Sequence, residues 1–430
     1  MKIDIRSLTE NQIIEFFLDK GFDSYRGKQV YEWIWKKSIY SFDDMTNLSK
    51  DLRIMLDTHF VINHIEVDKI QKSSDGTIKN AVKLFDDYTV ESVLIPTDDR
   101  TTACVSSQVG CSLDCKFCAT SKLKRMRNLN PDEIFDQVVA LNKQSLAYYK
   151  LPLTNIVFMG MGEPLMNYKN VNLAIKKIIE PQGLGMSPKR IILSTSGIPK
   201  MIKKLADDDV KYGLAISLHS ANQSIREQIM PFTKKFPIDE LLNSLQYWYK
   251  KTKNPVTFEY VVWEGINDKS EDINSLIEFC RKIPSKVNLI EYNSIGNLDF
   301  IQASKSKIIN YKKALEKAGK SIPAMSDEEK KKFFNNIEKT WKSRGKKNER
   351  FGRGDEEELA VQPVSVVELT KAQEKLPPAL QKAIEKKDKK KDKVEESINE
   401  GPSSEEKRIA MIAVRKQAKY RNVSLGEAIQ

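Results

Sequence analysis

The period of the apolar positions changes twice along the chain. In Gly27-Lys28-Gln29-Val30-Tyr31-Glu32-Trp33-Ile34-Trp35-Lys36-Lys37, residues Val30, Trp33 and Ile34 share one helical face and the lysines fall elsewhere, which predicts a small helical module near the start. From Val67 the pattern becomes strand-like: 80–84 and 88–95 read as paired strands, with turns at Asp75-Gly76 and Asp86-Asp87. From Thr101 to about Ala318, short apolar strands alternate with helical stretches, the signature of βαβ units and a parallel sheet. Six strands are expected, at 102–106, 155–159, 190–193, 212–216, 256–261 and 286–291. The fold class is therefore α/β, a partial (β/α)6 barrel of the TIM type behind a helical domain. The domain limits are 1–95, 96–320 and a charged tail, 321–430.

Barrels of this kind place their active site at the carboxyl ends of the strands. The segments after the predicted strands are a cysteine loop, Gly160-Met161-Gly162-Glu163-Pro164, Ser194-Thr195-Ser196-Gly197, Ser217-Leu218-His219-Ser220, the group Trp263, Glu264, Gly265 and Asn267, and Asn293-Ser294. Polar or glycine-containing groups recur at the same end of every strand, as one shared pocket requires.

Composition adds limits. Of residues 325–430, 45 of 106 are charged, against 85 of 324 before them, so the tail cannot bury a core of its own size. It reads as solvated linker with helices at 327–341 and 404–420. The net charge of +12 favours polyanionic partners, although surplus lysine is also what a solvated face looks like. Arg26, Lys28, Lys36 and Lys37 are candidate phosphate contacts. The charged start and the lack of any run of about 18 apolar residues point to a cytoplasmic protein without a membrane partner.

The five cysteines carry the sharpest signal. Cys111, Cys115 and Cys118 form C-x-x-x-C-x-x-C, a triplet that can hold three irons of a [4Fe–4S] cubane and leave the fourth open. S-adenosylmethionine, chelating through its amino and carboxylate groups, is the candidate for that open site. A structural zinc site wants four ligands, and neither the three histidines nor Cys104 and Cys280 supply a second knuckle.

The triplet, Gly162-Glu163-Pro164, Ser217-Leu218-His219 and the run Cys104-Val105-Ser106-Ser107-Gln108-Val109-Gly110-Cys111 together resemble the RlmN/Cfr family of radical S-adenosylmethionine RNA methyltransferases. The resemblance extends from the N-terminal helices to about Gly319 and is nearer to the RlmN type, which methylates carbon 2 of an adenine in 23S ribosomal RNA and also acts on transfer RNA. It implies Cys111, Cys115 and Cys118 as cluster ligands; Gly162, Glu163, Ser194, Ser217, Leu218, His219 and Asn293 as cofactor contacts; Glu91 as proton acceptor; and Cys104 as the thiol that resolves the protein–RNA adduct. It further implies an external electron donor such as flavodoxin or ferredoxin. Carbon 2 of adenine is not nucleophilic, which is why a radical route through two molecules of S-adenosylmethionine and a methylated cysteine is needed.

That methyl-carrying cysteine belongs in an Ala-Cys-Gly-like segment near the end of the family domain, and the sequence has none there. After Ala314-Leu315-Glu316-Lys317-Ala318-Gly319 the charged tail begins, and Cys280 lies beside Phe279 in a helical pattern that suits a core residue. Ser121 stands where the family often has glycine. Three readings follow: a methyltransferase, possessing or having lost its activity; a protein that cleaves S-adenosylmethionine without methyl transfer; and a non-catalytic RNA-binding relative. A join near Lys320, by gene fusion, frameshift or assembly, would also explain the departure.

Overall fold

The computed structural model describes residues 2–290, 292, 300–318 and 365–366. Three helices open the chain: α1 (Glu10–Asp19), α2 (Ser24–Trp35) and α3 (Lys50–His59). Thr9 starts α1 with a reciprocal capping box to Gln12. On α2 the buried stripe is Gly27, Val30, Tyr31, Ile34 and Trp35. Trp33, expected on that face, sits at its border, where its indole N–H donates to Asn47 and the Lys37 ammonium lies 3.4 Å from its ring centroid.

The main sheet has ten strands among the described residues. An antiparallel meander of β1 (Glu66–Lys72), β2 (Ile78–Lys83) and β3 (Thr89–Pro96) leads into β4 (Thr101–Cys104). The turns fall at the two expected places, and Asp87 takes the left-handed conformation (φ 67°) that aspartate tolerates in tight turns. From β4 the sheet is parallel and sequential: β5 (Asn155–Phe158), β6 (Ile191–Thr195), β7 (Gly213–Ser217), β8 (Val256–Val261) and β9 (Ser285–Ile290). A two-residue β10 (Ser365–Val366) pairs with β9. All six predicted barrel strands are present within two residues of their expected limits, except that Glu291 lies outside the described residues.

Helices α4 (Pro131–Tyr149), α5 (Tyr168–Ile179), α6 (Pro199–Asp207), α7 (Gln223–Ile229), α8 (Ile238–Thr252), α9 (Ser270–Cys280) and α10 (Lys305–Ala318) complete the framework. Pro131 at the first turn and the Asn130–Glu133 capping box fix the start of α4. Cys280 is buried in the core. The helical module is locked to the barrel by buried Arg6, which donates to both oxygens of Asp136 (2.8 and 2.9 Å) and to Asp132 (3.2 Å) on α4. No helix among the described residues is long and apolar enough to cross a membrane. The tail helices expected at 327–341 and 404–420 lie outside the described residues.

Candidate active site

The cysteine loop follows β4 and is fastened at both ends. Gly110, at φ +71°, lies so close to the Lys124 carbonyl that a Cβ there would be 2.3 Å from its oxygen. Lys116 N–H donates to the Ile229 carbonyl at the end of α7 (3.0 Å), and the Ser121 hydroxyl donates to the Cys115 and Cys118 carbonyls (2.6 and 2.7 Å). Ser121 thus ties the loop where glycine was expected. Cys111, Cys115 and Cys118 are half-buried. Burial pushes the Cys111 thiol up to about 11 and Cys115 well above its ordinary value, and each is raised further by the neighbouring cysteines. Thiols whose charged form is disfavoured in this way are what a cationic centre relieves. No group of three or more His, Cys, Asp or Glu among the described residues converges on one metal-ion position, whereas a cubane asks each thiolate to meet a different iron.

Beside this loop stand two buried groups of opposite charge. Gly162 (φ +96°) turns the chain against Gln108, whose Cβ would lie 2.5 Å from an added Cβ, and so aims Glu163 inward. The Glu163 carboxylate accepts from Leu165 N–H (3.0 Å), Thr195 hydroxyl (2.6 Å), Ser196 N–H (2.8 Å) and Ser196 hydroxyl (2.6 Å). Those four bonds fill about as many lone-pair sites as a carboxylate offers. Burial still raises its pKa, against the pull of the hydrogen bonds. Arg226, on α7 and fully buried, donates to the carbonyls of Leu218 (3.2 Å), Ser196 (2.7 Å) and Ser217 (3.4 Å). Its Nη1 has no partner, and its charge interacts with Cys115; burial lowers its pKa to about 10. An orphaned guanidinium nitrogen close enough to feel Cys115 fits an anionic group bound in this pocket.

Ser194, Ser217, Leu218 and His219 line the same strand ends. Ser194 is buried on β6, and Ser217 ends β7. Leu218 has its side chain in the apolar core, so only its backbone faces the site. His219 adopts φ +54°, and its Nδ1 accepts from Val261 N–H (3.2 Å). Burial and then Arg226 depress its pKa to about 3, which keeps the ring neutral. Asn293 lies outside the described residues.

Glu91 and Cys104 stand on neighbouring strands. On β3, Val90 and Leu94 join the apolar core, leaving Glu91 and Val93 on the opposite face; Val93 pairs with Cys104 of β4, so all three share that face. A hairpin glutamate would ordinarily be exposed, but Glu91 is buried and its Oε2 has no hydrogen-bond partner. Desolvation raises its pKa to about 7, with Lys79 opposing. Burial pushes Cys104 up to about 12, and the Glu91 charge contributes to the rise.

Sequence reading passed over Arg226, Thr195 and Ser196 as individual residues, and over the aromatic group around Phe117. Phe117 packs edge-on to His219 (4.9 Å between centroids) and against Trp263 (4.9 Å). The aromatic inside the C-x-x-x-C-x-x-C run and the cation eight residues after Leu218 were the available signals.

A parallel half-barrel with three cysteines after its first strand and an inward glutamate after its second defines a radical S-adenosylmethionine enzyme. The family model described as "Radical SAM superfamily" matches residues 105–280, and that described as "Ribosomal RNA large subunit methyltransferase N-terminal domain" matches residues 3–62. The chain is 63% identical over 321 residues to the "Probable dual-specificity RNA methyltransferase RlmN" of Christiangramia forsetii, covering 75% of this chain and 91% of that one. It is 39% identical over 315 residues to the "Dual-specificity RNA methyltransferase RlmN" of Geotalea uraniireducens, covering 73% and 90%. A crystal structure of a radical SAM methyltransferase from Sphaerobacter thermophilus superposes with a TM-score of 0.69 at 34% identity, covering 73% of this chain and 92% of that one. The chain belongs to the RlmN family of radical SAM RNA methyltransferases.

Proposed function

We propose that this chain binds a [4Fe–4S] cluster and S-adenosylmethionine and is built to methylate carbon 2 of an adenine in 23S ribosomal RNA and transfer RNA. Residues 96–320 are its catalytic core and 1–95 its RNA-facing accessory domain; it works in the cytoplasm and draws electrons from a flavodoxin- or ferredoxin-like donor. Cys111, Cys115 and Cys118 hold the cluster, and the strand ends carrying Gly162, Glu163, Ser194, Ser217, Leu218, His219 and Asn293 hold S-adenosylmethionine. Bound there, these groups would supply the methyl carbon and the radical chemistry that an unreactive ring carbon needs.

The observation that carries the reading is that buried Glu91 and Cys104 share one face of the sheet on adjacent strands. A carboxylate with an unpartnered buried oxygen and a pKa near 7 is a general base matched to removing the ring proton. Cys104 stands beside it as the resolving thiol. Glu163, already held by four donors, receives the cofactor ammonium as a neighbouring charge or in place of a rotatable hydroxyl donor.

None of the five cysteines stands in an Ala-Cys-Gly segment, and the buried Cys280 packs in the core, so methyl transfer stops for lack of a carrier. Anaerobically reconstituted protein is expected to bind four irons and to release 5′-deoxyadenosine on reduction, yet to give no 2-methyladenosine in mass spectrometry of RNA nucleosides. A chimera with an Ala-Cys-Gly segment after Gly319 restores the product. Catalytic 2-methyladenosine from the chain itself would show that another thiol carries the methyl group; stoichiometric zinc instead of iron would sink the reading altogether.

A further inference from the structure

The rim around the cysteine loop is basic and carries exposed apolar side chains. Resting on the methyltransferase reading, we propose that this rim, made of the β2–β3 turn at Phe85 and residues 122–127, docks the substrate RNA strand, with Phe85 as the stacking platform for an unpaired base.

Lys122, Lys124 and Arg125 are exposed, as is Lys116 within the cysteine loop, and no acidic residue occurs between Asp114 and Asp132. The segment is pinned to the cysteine loop: Cys111 N–H donates to the Leu123 carbonyl (3.3 Å), Met126 N–H donates to the Val109 carbonyl (2.9 Å), and the Lys124 carbonyl presses on Gly110. These cations therefore stand at a fixed place beside the site.

Arg127 has a different task. Its guanidinium donates to both carboxylate oxygens of Asp86 (2.6 and 2.7 Å) and both of Glu133 (2.7 Å each), and it lies 5.2 Å from the Phe85 ring centroid. A cation fixed by two carboxylates thus holds an aromatic ring that is 49% exposed. The ridge continues through Met126 and Met166, 48% and 42% exposed; Asn128 donates to the Met166 carbonyl (3.4 Å). Isolated exposed apolar residues need no explanation, but an immobilised ring on a ridge with cations that make no ion pair among the described residues, Arg125 donating only to the Asn128 amide (3.4 Å), matches a strand of phosphates and unstacked bases. An acidic electron-donor protein satisfies the charge but gives the fixed ring no role.

The test uses the full chain, anaerobically loaded, and a fluorescein-labelled RNA hairpin with adenine in its loop. Phe85→Ala should weaken binding about tenfold or more, the loss expected for one base–aromatic stack, whereas Phe85→Trp should keep it. Lys124→Glu with Arg125→Glu should weaken binding and flatten its salt dependence. All three variants should form 5′-deoxyadenosine at the wild-type rate without RNA. Unchanged RNA affinity in Phe85→Ala and in the double variant would overturn the proposal, as would slower reduction by an acidic flavodoxin with RNA affinity intact. Wild-type protein that bound no RNA would instead remove the methyltransferase reading beneath it.

Discussion

Two buried glutamates stand along the same sheet and are built in opposite ways. Glu163 is saturated, with four donors from three residues on its two oxygens. Glu91 has burial without satisfaction, and its Oε2 meets no donor. The first arrangement fixes a charge and the loops around it; the second leaves a proton easy to gain or lose near neutrality. Burial alone therefore does not mark a reactive carboxylate, and the count of donors separates framework from chemistry.

The contrast breaks most visibly at Glu163. Glu163→Ala strands an N–H and two hydroxyls on the β6 loop, so urea unfolding should show a loss of about 4 kcal/mol, and calorimetry should show no binding of S-adenosylmethionine. An unchanged unfolding midpoint would mean that the network does not hold the loops. Arg226→Met comes next, at about 3 kcal/mol, because the carbonyls of Ser196, Ser217 and Leu218 lose their donor. Iron content after reconstitution should fall in Arg226→Met and be partly kept in Arg226→Lys.

Glu91→Gln sharpens the comparison from the other side. With its pKa raised from 4.5 to about 7, folded Glu91 keeps a proton that the unfolded chain has released, so wild-type stability drops as pH rises through that window. The glutamine variant escapes that loss and should be more stable than wild type by about 2 kcal/mol at pH 8, with the gap closing toward pH 4. Thermal melts at the two pH values check the sign; an equal gap at both would mean that Glu91 does not titrate there. Cys104→Ala should have the smallest effect, about 1 kcal/mol, and iron analysis should still find four irons per chain.

The period-2 and βαβ patterns were enough to locate every barrel strand, because each is a short apolar run closed by polar or glycine residues at the site. The triplet Cys111, Cys115, Cys118 was legible for the same local reason. Glu91 was not: a glutamate in a hairpin reads as surface until the sheet shows which face it shares with Cys104. Arg226 escaped notice because a single arginine in a helix has no local signature; its partners are backbone carbonyls on two other strand loops. Trp33 does pack against the core, but only at its edge, because helical spacing does not reveal that Asn47 and Lys37 offer its indole partners there.

The lock between Arg6 and α4 also sets a timetable. Arg6 precedes Asp136 by 130 residues, so at ordinary synthesis rates roughly 7 to 26 s pass between their emergence. Throughout that interval the opening helices carry a cation made for burial that has Asp4 nearby (4.0 Å in the folded chain) but neither of its two closer carboxylates. The first part of the protein to be made is thus among the later parts to be secured, and a nascent chain halted before Asp132 should present those helices to a protease.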